Sequence, residues 1–198
     1  MKTLKFYALL GLTVAAIILS SCSKENDLDQ PNYGSSSENL SGQELEGLTL
    51  LVEKHKLHMD VYFTIFEKTN NPVFEKLYQS DAQLYNMLSD KIEDYSQINP
   101  VGKMGVGEFR QAEIQNLYSE FLATFDKGMV ETLTFAIEME EVTSEEIQYH
   151  LDLIEGNGDI VLLYTDLLTR SMSQMDALLS EFKKLVSNGE PINPIKET

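Results

Sequence analysis

Between Leu48 and Glu67 the chain places an apolar residue every three or four positions. Leu48, Val52, Met59, Tyr62 and Phe66 share one side when residues are set about 100° apart. Glu53, Lys56, Asp60 and Glu67 fall on the opposite side. That phase fits an α-helix and no strand. His55 lies near the middle of the apolar stripe and His58 lies beside it. An imidazole in a core is costly unless it meets a partner. This helix must therefore be covered, and whatever covers it must bring polar groups to the two histidines.

The same period recurs along the chain. Ser41-Gly42-Gln43-Glu44 has capping-box spacing and opens the first helix, and Thr69 to Pro72 stops it. A second helix is expected from Val73 to Tyr95, with Phe74, Leu77, Leu84, Leu88 and Ile92 on its stripe. Ile98 to Gly107, rich in glycine, reads as a loop. A shorter helix follows from Gln111 to Asp126, and another from Met129 to Glu141. Thr143-Ser144-Glu145-Glu146 is a second capping-box pattern, expected to open a short helix through Ile154. The last helix runs from Asp159 to Ser187. There is no strand-like alternation of useful length and no internal repeat. The pattern predicts an all-α antiparallel four-helix bundle with short extra helices, over residues 41–187, and a loose tail over 188–198.

Residues 1–21 read as a signal peptide. Lys2 and Lys5 precede an apolar run from Ala8 to Leu19 that is too short to span a membrane. The run ends in Leu19-Ser20-Ser21-Cys22, which resembles a bacterial lipobox, and Cys22 is the only cysteine. The resemblance implies lipidation at Cys22. Residues 22–40, polar and rich in serine, read as a tether. Ser23-Lys24-Glu25-Asn26-Asp27 resembles the acidic export signal of Bacteroidetes lipoproteins. Together these imply an outer membrane lipoprotein, periplasmic or surface-exposed, that meets the membrane through its lipid. With 32 acidic residues against 15 basic, the net charge is −17, which repels phosphate backbones and excludes nucleic acid as a partner. A protein partner or a second copy is left open.

Four predicted stripes carry polar residues where a bundle wants apolar ones. The first has His55 and His58, and the second has Asp81. The stripe of Met129, Leu133 and Ala136 ends at Glu140, with Glu138 and Glu141 nearby, and the last helix has Ser171 and Gln174. Bundle cores hold metals through carboxylates and imidazoles converging in this way. His150, beside Tyr149, has no acidic cluster facing it and is expected at the surface. No nucleophile motif or phosphate-binding glycine loop is present; Gly102, Gly105 and Gly107 suit a flexible loop.

The segment Leu51-Val52-Glu53-Lys54-His55-Lys56-Leu57-His58-Met59-Asp60-Val61-Tyr62 resembles the E-E-E-K-L-A-x-D-V-Y segment of a ferritin-like family, the domain of unknown function DUF2202. Asn71 to Phe74 continue the likeness, as does Ser80-Asp81, where the family has S-E-x-x-H. Gln115 to Tyr118, Ile137-Glu138 with Glu141-Val142, and Leu167-Leu168 with Ser171 extend it across residues 45 to 182. The resemblance implies a ferritin-like bundle, a fold that typically carries a di-iron centre. The chain departs from it at the ligands. His55 stands where the family has an acid, Leu84 replaces the second-helix histidine, and Gln174 replaces the last-helix histidine, while Glu138 keeps the third-helix acid.

Three readings follow. The first is a non-catalytic binding or structural module with a degenerate di-metal site and no cofactor. The second is a protein holding one divalent ion, Fe or Zn, through His55, His58, Asp81 and Glu138 or Glu140, with Gln174 alongside. The third is a di-iron oxidase. The anchor is tested separately: Cys22→Ala should move the protein from the membrane fraction to the soluble fraction, and retention in the membrane fraction would overturn the lipid assignment.

Overall fold

The structure is a computed structural model that describes residues 39–188. The signal peptide, Cys22, nearly all of the tether and the C-terminal tail lie outside the described residues. Among the described residues every regular element is helical: α1 Gly42–Thr69, α2 Pro72–Asp94, α3 Ala112–Phe125, α4 Met129–Asp152 and α5 Gly158–Asn188. The all-α expectation holds.

Local chemistry sets the first hairpin. Ser41 Oγ accepts from the Glu44 amide at 3.2 Å while Glu44 Oε2 accepts from the Ser41 amide at 2.7 Å, which closes the capping box at the start of α1. Asn70 ends α1 in the left-handed conformation, at φ 54°, and Asn71 Oδ1 accepts from the Val73 amide at 3.0 Å to start α2 behind Pro72.

Side-chain pairs fix the directions of the helices. His55 meets Asp81 and Tyr62 meets Phe74, so α1 and α2 are antiparallel. Lys54 pairs with Glu146 and Tyr62 with Glu140, so α1 and α4 are antiparallel. Asn71 reaches Glu181 and Tyr95 reaches Asn157, so α2 and α5 are antiparallel as well. It follows that α2 and α4 run the same way, and the chain must return along the bundle between them. Residues 95–128, including α3, make that crossover, the connection that ferritin-like bundles use.

One expectation about the helices is corrected. The chain does not restart at Thr143. One helix, α4, runs from Met129 to Asp152 because no glycine or proline interrupts it and its inward stripe stays in phase from Leu133 and Ala136 through Thr143 to Ile147. On the polar side of α1 Glu67 is exposed, but the other three residues are not in water. Glu53, Lys56 and Asp60 are buried beneath the crossover. Glu53 Oε1 accepts from the amides of Arg110 and Gln111 at 2.6 and 2.7 Å, which caps α3 from a neighbouring helix, since Gln111 supplies no side-chain cap of its own. Lys56 Nζ lies 2.6 Å from Asp60 Oδ2 and donates to the Gly105 carbonyl at 2.8 Å, and the Gly107 amide donates to Asp60 at 2.8 Å. Lys56 also lies over the Phe109 ring, 4.7 Å from its centre.

The apolar core falls into two clusters. One gathers Leu57, Val61, Phe74, Leu77, Leu133, Ala136 and Leu178; the other gathers Leu48, Leu51, Leu84, Leu88, Ile147, Ile160 and Leu167. On every one of the four long helices the residues between these clusters are the polar anomalies. Two glycines are required by close approach. A Cβ on Gly47 would lie 2.7 Å from the Tyr164 hydroxyl and 2.9 Å from His150 Nδ1, so α1, α4 and α5 meet there only over a bare backbone. Gly107 has φ 77°, and a Cβ there would lie 2.5 Å from the Tyr118 ring. Gly107→Ala should therefore cost about 2 kcal/mol in urea denaturation, through strain and overpacking together, and should reduce exchange protection of the Arg110 and Gln111 amides.

Candidate metal site in the bundle core

The four polar anomalies meet. His55, His58 and Tyr62 come from α1, Asp81 from α2, Glu140 and Thr143 from α4, and Ser171 and Gln174 from α5; all are buried. His55 Nδ1 lies 3.0 Å from Asp81 Oδ1, and Gln174 Nε2 donates to Asp81 Oδ2 at 2.6 Å. His58 Nδ1 lies 3.1 Å from Glu140 Oε1 and 3.8 Å from Asp81 Oδ1, so it stands between the two acids. Its Nε2 lies 3.0 Å from the Thr143 hydroxyl. Glu140 Oε1 also accepts from the Tyr62 hydroxyl at 2.6 Å, and Oε2 accepts from Ser171 at 2.5 Å. Ser144 in turn donates to Ser171 at 3.0 Å. Two polar atoms in the layer have no partner: His55 Nε2 and Gln174 Oε1.

Burial splits the titrating groups. Desolvation pushes His55 down to about 4, against the opposing pull of the Glu140 charge, so its imidazole is neutral at neutral pH. Desolvation raises Asp81 well above the usual carboxylate range; the charge of Glu140 adds to this, while His58 and Gln174 oppose it. Burial would raise Glu140 too, but the charge of His58 and hydrogen bonds from His58, Ser171 and Tyr62 bring it down. Burial thus favours the protonated form of Asp81, while His58 and the hydrogen bonds that Glu140 receives favour the charged form of Glu140. Tyr62 is raised, by burial first and then by both acids, and remains a donor.

His55, His58 and Asp81 each offer a ligand atom, all within 4.8 Å of one another. Glu140 borders this triad, its Oε1 lying 3.1 Å from the same ring nitrogen of His58. Glu138 does not. It is exposed, beside Met139 and Val142 at a small surface hollow. Two residues along a helix turn the side chain by about 200°, so Glu138 and Glu140 cannot both face inward. The phase of Leu133 and Ala136 already selects Glu140. His150 is corrected as well. It is only 8 % exposed, set against Gly47 at the end of the bundle and 5.2 Å, ring to ring, from Tyr149, far along α4 from the polar layer. The sequence reading missed Thr143 as a site residue because its capping pattern pointed elsewhere; the available signal was its place three residues after Glu140, on the same face.

Comparison with known proteins now bears on this architecture. The profile of a family described as an uncharacterized protein domain, DUF2202, matches residues 44–196. The chain belongs to the DUF2202 family. It is similar to an uncharacterized protein of Methanocaldococcus jannaschii, MJ0754, with 26 % identity over 152 residues, covering 77 % of this chain and 82 % of that one. The crystal structure of that hypothetical protein superposes with a TM-score of 0.71 at 23 % identity, covering 90 % of this chain and 93 % of the other. That likeness concerns the fold.

A di-iron centre of the kind the family resemblance implies does not fit this DUF2202 chain. By the sequence resemblance, Leu84, fully buried and apolar, stands where the family has its α2 imidazole, and buried Gln174 where it has its α5 imidazole. The two imidazoles and two carboxylates that remain suffice for one ion. The buried histidine has a consequence for stability. A group whose folded pKa is depressed contributes stability above its unfolded pKa and loses it as the pH falls. For His55 the window runs from 6.5 down to about 4, worth about 3 kcal/mol by the end of it. Asp81, raised, acts in the opposite sense. Comparing wild type with His55→Gln isolates the histidine: from pH 7 to pH 4 the wild type should lose about 3 kcal/mol relative to the variant in urea denaturation.

Proposed function

We propose that the DUF2202 bundle holds a single divalent metal ion in its polar layer, through His55, His58, Asp81 and Glu140. One observation carries this reading. The facing atoms of His55, His58 and Asp81, all buried, lie within 4.8 Å of one another, and Glu140 Oε1 comes within 3.1 Å of His58 Nδ1. Three of the six edges of a four-ligand shell, at 3.0, 3.1 and 3.8 Å, bracket the edge of about 3.3 Å expected between ligands bound at Zn–N or Zn–O distances in a tetrahedral shell. The outer atoms support it. Gln174 holds the far oxygen of Asp81, Ser171 holds that of Glu140, and Thr143 meets the far nitrogen of His58, as groups that orient metal ligands do. An ion bound there would supply a fixed positive charge among two acids and oppose the protonation that burial favours at Asp81. Affinity should therefore rise with pH. Two imidazoles with two carboxylates suit Zn²⁺ or Fe²⁺.

A second reading rests on a different feature of the same groups. Both oxygens of Asp81 and of Glu140, and both nitrogens of His58, already have side-chain partners. On that reading the layer is a hydrogen-bond network, complete but for His55 Nε2 and Gln174 Oε1, in a non-catalytic module. We further propose, from Lys2, Lys5, the apolar run to Leu19 and Cys22, that the bundle is exported and lipid-anchored at the outer membrane.

Elemental analysis and calorimetric titration of full-length protein, purified without a His-tag, separate the two readings. The metal reading expects one equivalent of Zn²⁺ or Fe²⁺ per chain and a raised Tm. His55→Ala and Asp81→Ala should weaken binding at least about 100-fold, Thr143→Val should weaken it about 10- to 100-fold, and His150→Ala should leave it unchanged. Less than about a tenth of an equivalent, with no shift in Tm, would leave the hydrogen-bond network standing.

A further inference from the structure

One side of the bundle is only partly covered, where α3 lies against α4. The two helices run antiparallel and touch at Phe121 and Phe135, 5.9 Å ring to ring. From that contact two clefts, of about 180 and 620 Å³, continue toward Gln111 and Glu146. Lys54 and Leu117 line both of them, so the two adjoin as one groove. Its floor is apolar, with Phe135, Met139 and Val142 at one end, Leu117 at the middle, and Ile114 and Leu50 at the other. Val142 is 47 % exposed, and Tyr149, two turns further along the same face of α4, is 61 % exposed. Large apolar side chains bared along a groove with a polar rim are the mark of an interaction surface.

The banks of the groove carry charge of one sign. Glu113 and Glu120 stand two turns apart on α3, and Glu138 stands on the opposite bank, on α4. Glu46, from α1, closes the far end. All four are exposed, and none makes an ion pair or a hydrogen bond among the described residues. Lys54, the cation between the two clefts, is 6 % exposed and already neutralised by Glu146 at 3.0 Å. The charge selects the occupant. An anionic lipid surface, or a second copy of this acidic chain presenting the same face, is repelled here, and a partner with cations beside an apolar stripe is attracted.

We propose that the α3–α4 groove docks an amphipathic helix of another protein, its apolar stripe flanked on both sides by lysine or arginine. Apolar side chains at i, i+3, i+4 and i+7 of that helix cover Leu117, Phe135 and Val142. Its flanking cations meet Glu113 and Glu120 on one bank and Glu138 on the other. Phe135 to Glu146 spans three turns of α4, about 17 Å, which seats about three turns of the partner. The assignment is independent of whether the core holds an ion.

Fluorescence anisotropy tests it, with full-length protein titrated into a labelled helical peptide of leucine and lysine, about 14 residues long, that carries such a stripe. Salt at about 0.15 M suppresses long-range attraction. Binding should saturate at one peptide per chain. A peptide of the same composition with the stripe scrambled should bind at least about tenfold more weakly, and a leucine–glutamate peptide should not bind. Joint Glu113→Gln and Glu120→Gln should weaken binding about fivefold or more. Val142→Asp adds an acid while breaking the apolar floor. It should also weaken binding about fivefold or more, whereas attraction by net charge alone would strengthen it. Joint Asp90→Asn and Glu93→Gln, at exposed acids of α2 outside the groove, should leave binding unchanged. Failure to saturate, equal binding of the scrambled peptide, unchanged or tighter binding by Val142→Asp, or equal weakening by the α2 pair would overturn the proposal.

Discussion

A layer of polar side chains crosses the middle of this bundle with no water-exposed edge among its acids and imidazoles. Everything else is arranged around the need to satisfy it. Two carboxylates and two imidazoles in a low-dielectric interior are tolerable only when each is held by a partner, because the penalty for an orphaned buried charge is several kcal/mol. The bundle meets that requirement by drawing one or more polar groups from each long helix to the same level: His55 and His58, Asp81, Glu140, Ser171 and Gln174. A slip of α5 by one residue against α2 would move Gln174 off Asp81 and Ser171 off Glu140 together. The layer thus specifies the alignment of the four helices in a way that the two flanking apolar clusters, of aliphatic and aromatic side chains whose packing is less directional, do not.

Much of this was legible in the chain. The helical class, the start of α1 at Ser41, its stop near Asn70 and the placing of His55, His58, Asp81, Ser171 and Gln174 follow from phase and capping, which are local properties. What failed was non-local. Thr143-Ser144-Glu145-Glu146 has the composition of a helix start, but tertiary packing keeps Thr143 mid-helix with its hydroxyl against His58. Sequence likeness favoured Glu138, whereas the helical turn favours Glu140; where the two disagree, geometry decides. His150 looked like a surface group because no acidic cluster faces it, and nothing local announces that Gly47 leaves a space for it to fill.

The likeness to MJ0754 concerns the same level of description. A TM-score of 0.71 at 23 % identity means that the path of the helices is kept while most side chains differ. The helix stripes and crossover can survive such change because they depend on residue class, whereas a ligand set depends on residue identity. In this chain the α2 position after Asp81 carries Leu84, which joins the apolar cluster, and the imidazoles sit on α1 instead. Fold membership and metal chemistry are therefore separate questions for members of this family.

The crossover that lies over α1 has a mechanical consequence. Over residues 53–60 this helix is gripped on opposite sides: His55 and His58 are fastened into the bundle, while Glu53, Lys56 and Asp60 are fastened to the backbone at Gly105, Gly107, Arg110 and Gln111. A helix held on one side can roll about its axis to let its side chains follow a guest. A helix held on both cannot, because the torque that moved an imidazole would have to tear out hydrogen bonds on the far side. Whatever sits among His55, His58, Asp81 and Glu140 must accept the spacing it finds, and discrimination between one occupant and another then falls to size, with little room for accommodation.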